Sequence, residues 1–316
     1  MIVLEQSSAP LILEETPRYL DHDGLWKNVI TELFKPFVRF FAPNLYQMID
    51  WSVKADSLEQ EFHRVFPEKK GKRYTDKLMK VHQKNGQERW MLIHIEVQGY
   101  EDKDFAERMF QYFYRIFDKY NRKIYAMAIF ADDNEYFQPA QYTYQFYGTE
   151  LNYTYNTYKI AQQDEETLLQ SDNPFAYAIL AGLYMIKSKN NASKRYQFKR
   201  RLFELLIRGQ RVDNREYSGA LLYFIDYLLE VPKEMAEKLQ KEVKPIVQEE
   251  ESHMFTTKYP DPPTLKPIFD EIREEGKVKA KKEVALNMLR KGYAVETVVE
   301  LTGLTKEEVT ALKSEW

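Results

Sequence analysis

The segment Trp90-Met91-Leu92-Ile93-His94-Ile95-Glu96-Val97-Gln98 alternates as only a strand does. Its odd positions Met91, Ile93, Ile95 and Val97 are apolar. Successive strand side chains point to opposite sides, so one face belongs in a core and the other carries His94, Glu96 and Gln98. Just upstream lies Asn85-Gly86, a strong hairpin signal because both residue types tolerate positive φ. A hairpin of residues 74–83 and 89–98 follows, with Asp76 near the start of its first strand. Two carboxylates and an amide meeting on one face of a bent hairpin make a Mg²⁺ site suited to phosphate chemistry.

Register decides whether Asp76 reaches that face. A strict two-residue turn at Asn85-Gly86 pairs Lys84 with Gln87 and sends Asp76 to the side of Ile95, away from Glu96. A three-residue loop with Gly86 in the left-handed region, or any one-residue bulge, shifts the pairing by one. Asp76 then joins His94, Glu96 and Gln98, while Met79 and Val81 join Met91, Ile93 and Ile95. Leu78 moves to the polar side. Burial of one face is what specifies register, so core packing and site assembly favour the shifted pairing.

The rest of the chain reads as an ordered series. An amphipathic helix over 24–34 meets a break or kink at Pro36, and a short strand is expected around 49–53. Residues 104–120 are helical, with Phe105, Met109, Phe113, Ile116 and Tyr120 at spacings of three and four. Residues 123–130 form a short, nearly continuous apolar run, the mark of a strand covered on both faces. The sum is α-β-β-β-α-β, followed by a tyrosine-rich β segment over 142–160. Beyond Asn173-Pro174 the pattern turns helical over 175–187, 194–208 and 218–229. A polar, exposed helix over 233–244 is ended or kinked by Pro245. Tyr259-Pro260-Asp261-Pro262-Pro263 punctuates the chain before a charged stretch over 271–283. The expected fold is α/β with a mostly helical C-terminal region. Its expected divisions are 1–165, 166–260, and a charged linker with a small helical tail over 261–316.

Composition narrows the classes. With 316 residues, 44% hydrophobic and 30% charged, the chain is neither disordered nor short of core. It has no cysteine, which excludes disulfides and thiolate zinc sites and fits a cytoplasmic location. Met1-Ile2-Val3-Leu4-Glu5 lacks the features of a secretory leader. The longest apolar run, over 175–186, is too short to span a bilayer. A net charge of −3 gives no overall preference for nucleic acid, but local clusters do. Lys69, Lys70, Lys72, Arg73, Lys77 and Lys80 crowd around Asp76, where positive charge can hold a phosphate backbone. Lys194, Arg195, Lys199, Arg200 and Arg201 form a second run, for which a solvated charged face is the plainer explanation.

Several of these pieces, taken in order, resemble one family. They are His22-Asp23 with Leu25, Trp26 and Lys27; Arg73-Tyr74-Thr75-Asp76; Ile95-Glu96-Val97-Gln98; the helix bearing Glu107-Arg108; and Asn173-Pro174-Phe175-Ala176. Residues 21–187 look like the Rpn family of recombination-promoting nucleases, also described as transposase-like proteins, of the PD-(D/E)XK nuclease superfamily. The ending from Gly292-Tyr293 through Leu301-Thr302-Gly303-Leu304-Thr305 is similar to a tail often joined to these proteins. The resemblance implies a metal-dependent DNA endonuclease with a PD-(D/E)XK-type core, DNA as its partner, and a link to recombination or mobile elements. Asp76 and Glu96 would ligate Mg²⁺, with Mn²⁺ as the alternative ion, and Asp23 would add a further carboxylate. Such a metal polarises the scissile phosphate and activates water.

At Gln98 the superfamily usually has lysine, a point charge that orients or helps deprotonate water. Glutamine holds a water or coordinates through its carbonyl without charge, and Lys27, Lys80 or Arg108 are the candidates to compensate. Each site residue has a structural alternative. Asp23 can be a helix N-cap, Asp76 a solubilising edge charge, His94 a packed histidine, and Arg108 the helical partner of Asp104. Two functions therefore stand: a Mg²⁺-dependent DNA endonuclease, or a non-catalytic DNA-binding or assembly protein on a degenerate nuclease fold, either as a monomer or a homo-oligomer. A further reading takes residues 295–301, Gly303 and residues 306–312 as a helix-turn-helix. Glu307 and Glu308 place negative charge on its second helix, so a small packing or oligomerisation unit is preferred there.

Overall fold

The computed structural model describes residues 22–58, 77–84, 90–209, 212, 214–250 and 259–314. Three helices open it: α1 (His22–Glu32), α2 (Phe34–Phe41) and α3 (Pro43–Met48). The break between the first two falls at Leu33, ahead of Pro36. A proline ring clashes with the carbonyl four residues back, here Glu32, and α1 ends on that residue. Pro36 then sits in the first turn of α2, where its missing N–H costs no helical bond.

The strand expected around 49–53 does not form. Ile49 makes a single antiparallel bridge to Gln83, after which the Asp50 carboxylate accepts from the Ser52 backbone N–H and hydroxyl at 3.0 and 2.6 Å. That side-chain turn diverts the chain, and the sheet edge is taken by β1 (Asp56–Ser57) instead. β1 pairs with β2 (Lys77–His82), which pairs antiparallel with β3 (Trp90–Gln98). The register sets Lys77 opposite Ile95, Met79 opposite Ile93 and Val81 opposite Met91, which is the shifted pairing. Asn85-Gly86 lies outside the described residues.

Helix α4 (Phe105–Tyr120) crosses over to β4 (Ile124–Phe130), parallel to β3. Asn121, at φ 46°, supplies the left-handed residue that ends α4. The tyrosine-rich segment divides. β5 (Gln141–Phe146) and β6 (Thr149–Thr154) form a separate hairpin, and β7 (Asn156–Lys159) joins the main sheet parallel to β4. The main sheet has five strands in the order β1-β2-β3-β4-β7.

Both faces of this sheet are covered. Met79, Ile93, Ile95 and Ile129 pack with Leu25, Trp26 and Val29 of α1 and with the helices beyond residue 174. Packing is thus continuous across position 165, and Trp26 meets Phe224 edge-on at 4.9 Å. The opposite face lies under α4: Leu78 and Leu92 pack on Tyr112 and Ile116, and Ala126, Ala128 and Phe130 pack with Phe105 and Met109. The side of β3 bearing His94, Glu96 and Gln98 is therefore buried rather than solvated.

The C-terminal half is helical: α5 (Glu165–Gln170), α6 (Phe175–Lys187), α7 (Ala192–Ile207), α8 (Arg215–Leu228), α9 (Lys233–Glu249), α10 (Lys266–Arg290), α11 (Val295–Thr302) and α12 (Lys306–Ser314). Two expectations are corrected. Helix α9 continues through Pro245 and is amphipathic, because Leu239, Val243 and Val247 form a buried stripe at helical spacing. The charged stretch over 271–283 is no linker but part of the continuous α10, supported by Asp270–Arg273 and Glu274–Lys277 pairs one turn apart. One end of α10 packs Ile268, Phe269 and Ile272 into the main core. The other packs Ala285 and Leu289 against Val298, Leu304, Val309 and Leu312. Among the described residues no helix is long and apolar enough to cross a membrane.

Candidate functional site

Glu96 and Gln98 stand two residues apart at the end of β3, so they point the same way, towards α4. They are 1% and 3% exposed. Burying a carboxylate there requires a partner, and α4 delivers Arg108 from its first turns. Arg108 Nη2 donates to Gln98 Oε1 at 3.0 Å and to Glu96 Oε1 at 3.5 Å. Its Nη1 donates to Asp102, and the guanidinium lies over the Phe105 ring at 5.1 Å. Gln98 Nε2 donates to the Tyr100 carbonyl at 2.6 Å, which fixes the amide so that its oxygen faces Arg108.

Glu96 Oε2 is buried and has no hydrogen-bond donor among the described residues. The cluster joins two carboxylates to one guanidinium, so its formal charge is negative. The arrangement fits one more cation, of the oxygen-seeking kind. Glu96 alone does not make a metal site, and among the described residues no group of three or more His, Cys, Asp or Glu comes together. Asp76 lies outside the described residues. Asp23 is in α1, but its side chain is not described.

The other sequence candidates divide. His94 is fully buried with its ring edge-on to Tyr112 at 5.5 Å, as a packed histidine. Lys80 is opposite Leu92, about 13 Å along the strand from Glu96 at ~3.3 Å per residue. Its ammonium is 4.0 Å from Asp56. Lys27 lines an open cleft of about 620 Å³ with Gly24, Asn28, Ser57, Lys77 and Tyr223. Lys77 is in register with Ile95, so this cleft opens on the sheet face away from Glu96. Of the three proposed compensating cations, only Arg108 reaches the cluster. It pairs with Asp102 rather than Asp104, whose carbonyl takes the Arg108 backbone N–H at 2.9 Å.

Sequence reasoning missed two features. Asp102 precedes α4, so helical spacing never pairs it with Arg108. Asp102 Oδ1 also accepts from the Asp104 N–H at 3.0 Å, a local turn that aims the carboxylate back. The second is the buried pair of Lys159 Nζ, on the last residue of β7, and Asp132 Oδ1, two residues past β4, at 2.6 Å. Lys159 is in register with Phe130, and Phe130 with Gln98. The signal was a lysine following the β-rich run of 153–158. Nearby, burial pushes the Tyr155 hydroxyl up, with the Arg108 charge acting the other way; it donates to the Pro139 carbonyl at 2.7 Å and is no base.

The second basic run is engaged within the protein. Arg195 donates to the carbonyls of Ser188 and Lys189, Lys199 pairs with Asp226, Arg200 with Glu204 and Glu242, and Arg201 with Glu165. Of the first run, Lys69, Lys70, Lys72 and Arg73 lie outside the described residues.

In the tail, α11 and α12 meet at Gly303, whose φ of 67° suits the tight turn between them. The Thr305 hydroxyl accepts from the Glu308 N–H at 3.2 Å and Glu308 Oε2 from the Thr305 N–H at 2.8 Å, a reciprocal capping box. The Thr305 N–H, and after it the Thr305 hydroxyl, hold the Glu308 carboxyl below its usual range, helped by Lys282 and Lys281. Glu308 thus serves to cap α12 and keeps its negative charge on the first turn of that helix.

A family model described as "Putative transposase, YhgA-like" matches residues 20–216. A second, the C-terminal HTH domain of the Rpn/YhgA-like nuclease family, matches residues 278–314. The helix-turn-helix reading of the tail replaces the packing-unit preference. No curated protein and no solved structure matches the chain.

Proposed function

This chain belongs to the Rpn/YhgA-like family, and from that premise we propose that it is a Mg²⁺-dependent DNA endonuclease on a PD-(D/E)XK-type core. The observation that carries the reading is the orphaned Glu96 Oε2 beside Gln98 and Arg108. A buried acceptor with no donor is costly, and it persists where a ligand completes it. Glu96 and Asp76 would hold the ion, with Asp23 as a further carboxylate. The β2–β3 register supports this pairing, since it is the one in which the sequence argument brings Asp76 to the side of Glu96. Bound Mg²⁺ supplies a polarised phosphate and a more acidic water. Gln98, oriented by the Tyr100 carbonyl, keeps its oxygen on Arg108, and Arg108 presents positive charge to a phosphate oxygen. The helix-turn-helix tail would hold the DNA, and mobile-element or recombination intermediates are the proposed substrates.

Supercoiled plasmid incubated with the protein, with and without Mg²⁺, beside Glu96→Ala tests this. Nicking or linearisation that needs both the metal and Glu96 is expected. Retention of DNA without cleavage in Mg²⁺ or Mn²⁺ would favour a DNA-binding protein on a degenerate nuclease fold, the reading that the uncharged Gln98 keeps in play.

A further inference from the structure

We propose that the β5–β6 hairpin joins this chain to a second copy of itself, by antiparallel pairing of the outer edge of β5 with the same edge of the partner, centred on Thr143. The inference is independent of the proposed nuclease function.

The strand is complementary to itself. Residues 141–145 read Gln141-Tyr142-Thr143-Tyr144-Gln145, the same in either direction. Any two-fold pairing is reciprocal in position, residue i meeting j and j meeting i. A centre at Thr143 also makes every pair like with like: threonine on threonine, Tyr142 on Tyr144, Gln141 on Gln145. Aromatic and Thr–Thr cross-strand pairs stabilise sheets, and no charge stands among these to oppose them.

The backbone agrees on the same centre. The Tyr155 N–H donates to the Ala140 carbonyl at 3.1 Å, so those two residues are a hydrogen-bonded pair. By alternation along the ladder, so are Tyr142 with Tyr153, Tyr144 with Leu151 and Phe146 with Thr149. The Tyr147-Gly148 turn, with φ of 43° and 86°, closes the hairpin on that last pair. Gln141, Thr143 and Gln145 therefore turn their N–H and C=O groups to the outer edge. Among the described residues no strand pairs with that edge. Pairing about Thr143 makes these three residues the hydrogen-bonded positions of the new ladder. It also sets Tyr142 and Tyr144 in its closer, non-hydrogen-bonded pairs.

Exposed edges are usually very short or carry a charge, a proline or a bulge. β1, at the edge of the main sheet, has two residues, and β6 carries Glu150. β5 has six residues with neither charge nor proline. A two-stranded hairpin is marginal on its own, and two copies make a four-stranded sheet. On the face towards α4, Tyr142 stacks on Phe110 at 5.2 Å. Tyr144 and Phe146 continue that face, 45% and 58% exposed. In the pair, Tyr144 gains the partner's Tyr142 as its neighbour.

The test is the association state of the full-length protein, by sedimentation velocity over a concentration series. The wild type should form a reversible dimer. Thr143→Lys, at an exposed position, should keep its circular dichroism and dimerise roughly a hundredfold more weakly, because two ammonium groups would meet at the two-fold axis. Thr143→Glu should do the same, and an equimolar mixture of the two variants should recover the dimer. The chain has no cysteine, so Thr143→Cys offers a single thiol. Its Cα would lie ~5.5 Å from its own copy, within disulfide reach. Mild oxidation should link it into a covalent dimer far faster than Asn152→Cys, which lies across the hairpin from Thr143. A wild type that stays monomeric overturns the proposal and leaves the edge to a foreign strand or to nucleic acid. A dimer that Thr143→Lys leaves intact, or a mixture that stays monomeric, overturns the Thr143-centred pairing. Should the charged variants fail to fold, the cysteine variants decide, and equal crosslinking of the two overturns it.

Discussion

Asp226 and Glu96 are two of the buried carboxylates among the described residues that meet a cation, and they are treated in opposite ways. Asp226, between α7 and the segment leading into α10, is saturated. Its Oδ1 takes Lys199 Nζ at 2.5 Å and the Thr264 hydroxyl at 2.6 Å, and its Oδ2 takes the Thr264 N–H at 2.7 Å. Lys199 also donates to the Asp226 carbonyl at 2.9 Å. Glu96 has one long contact to Arg108 and an oxygen with no donor among the described residues. Saturation is what a latch needs, because every unmet lone pair would subtract from stability. An unmet lone pair is what a binding site offers a ligand.

The largest expected effect breaks the comparison on its functional side. Glu96→Gln should reduce Mg²⁺-dependent cleavage to the level of the metal-free control. The metal-free protein should melt at the wild-type temperature or slightly above, because the substitution neutralises a buried carboxylate. Mg²⁺ stabilises the wild type by about 2.7 kcal/mol at a hundredfold excess over its dissociation constant, and the variant should lose that response. Identical melting responses to Mg²⁺ in the two proteins would remove Glu96 as a ligand.

The latch should fail the other way. Lys199→Met leaves Asp226 charged and 2% exposed, a loss of roughly 3–5 kcal/mol for half of a buried pair. Urea unfolding measures it, and cleavage by the fraction still folded should be unchanged. A Lys199→Met protein as stable as the wild type would show that the pair is not a latch.

A smaller effect is expected at Lys80. Its 4.0 Å approach to Asp56 at the sheet edge is worth about 0–1 kcal/mol, and it lies away from Glu96. Lys80→Ala should therefore cleave plasmid within about twofold of the wild type, as surface changes remote from a site do. A tenfold loss of cleavage would place Lys80 on the DNA path.

What the sequence disclosed of these regions follows from the range of each interaction. Alternation along β3, with the need to bury Met79 and Val81 beside Ile93, was enough to select the observed register. Alternation does not tell whether the second face meets water or a helix, so the burial of Glu96 and Gln98 under α4 was not legible. Nor was Asp102, since its contact with Arg108 depends on a turn outside the helical repeat. Lys199 was legible in principle. Tyr196, Lys199, Phe203 and Leu206 fall on one buried face of α7, and a lysine in an apolar stripe calls for a buried acid. Reading it as part of a charge run hid that signal. Glu308 was likewise hidden by charge counting, although Thr305-Lys306-Glu307-Glu308 spells a capping box.

The smallest effect tests an intermediate case. Glu165 receives the Tyr184 hydroxyl at 2.7 Å, Lys187 at 3.0 Å and Arg201 at 2.8 Å, and its side chain is 26% exposed. Burial pushes its carboxyl up, but the Tyr184 and Lys187 hydrogen bonds and the charges of Lys187 and Arg201 outweigh burial and hold it below the usual value. A carboxyl depressed in the folded state adds stability that is present above the ordinary carboxylate range and is lost as pH falls through the folded value. Partial exposure limits the gain to about 1 kcal/mol or less. Glu165→Gln should thus be slightly less stable than the wild type at pH 7, and the two should converge as pH falls through the folded value in urea unfolding. A gap that stays constant down to pH 3 would mean that the loss is one of packing and hydrogen bonding, not of charge. Glu165 would then stand with Asp226 as a saturated latch.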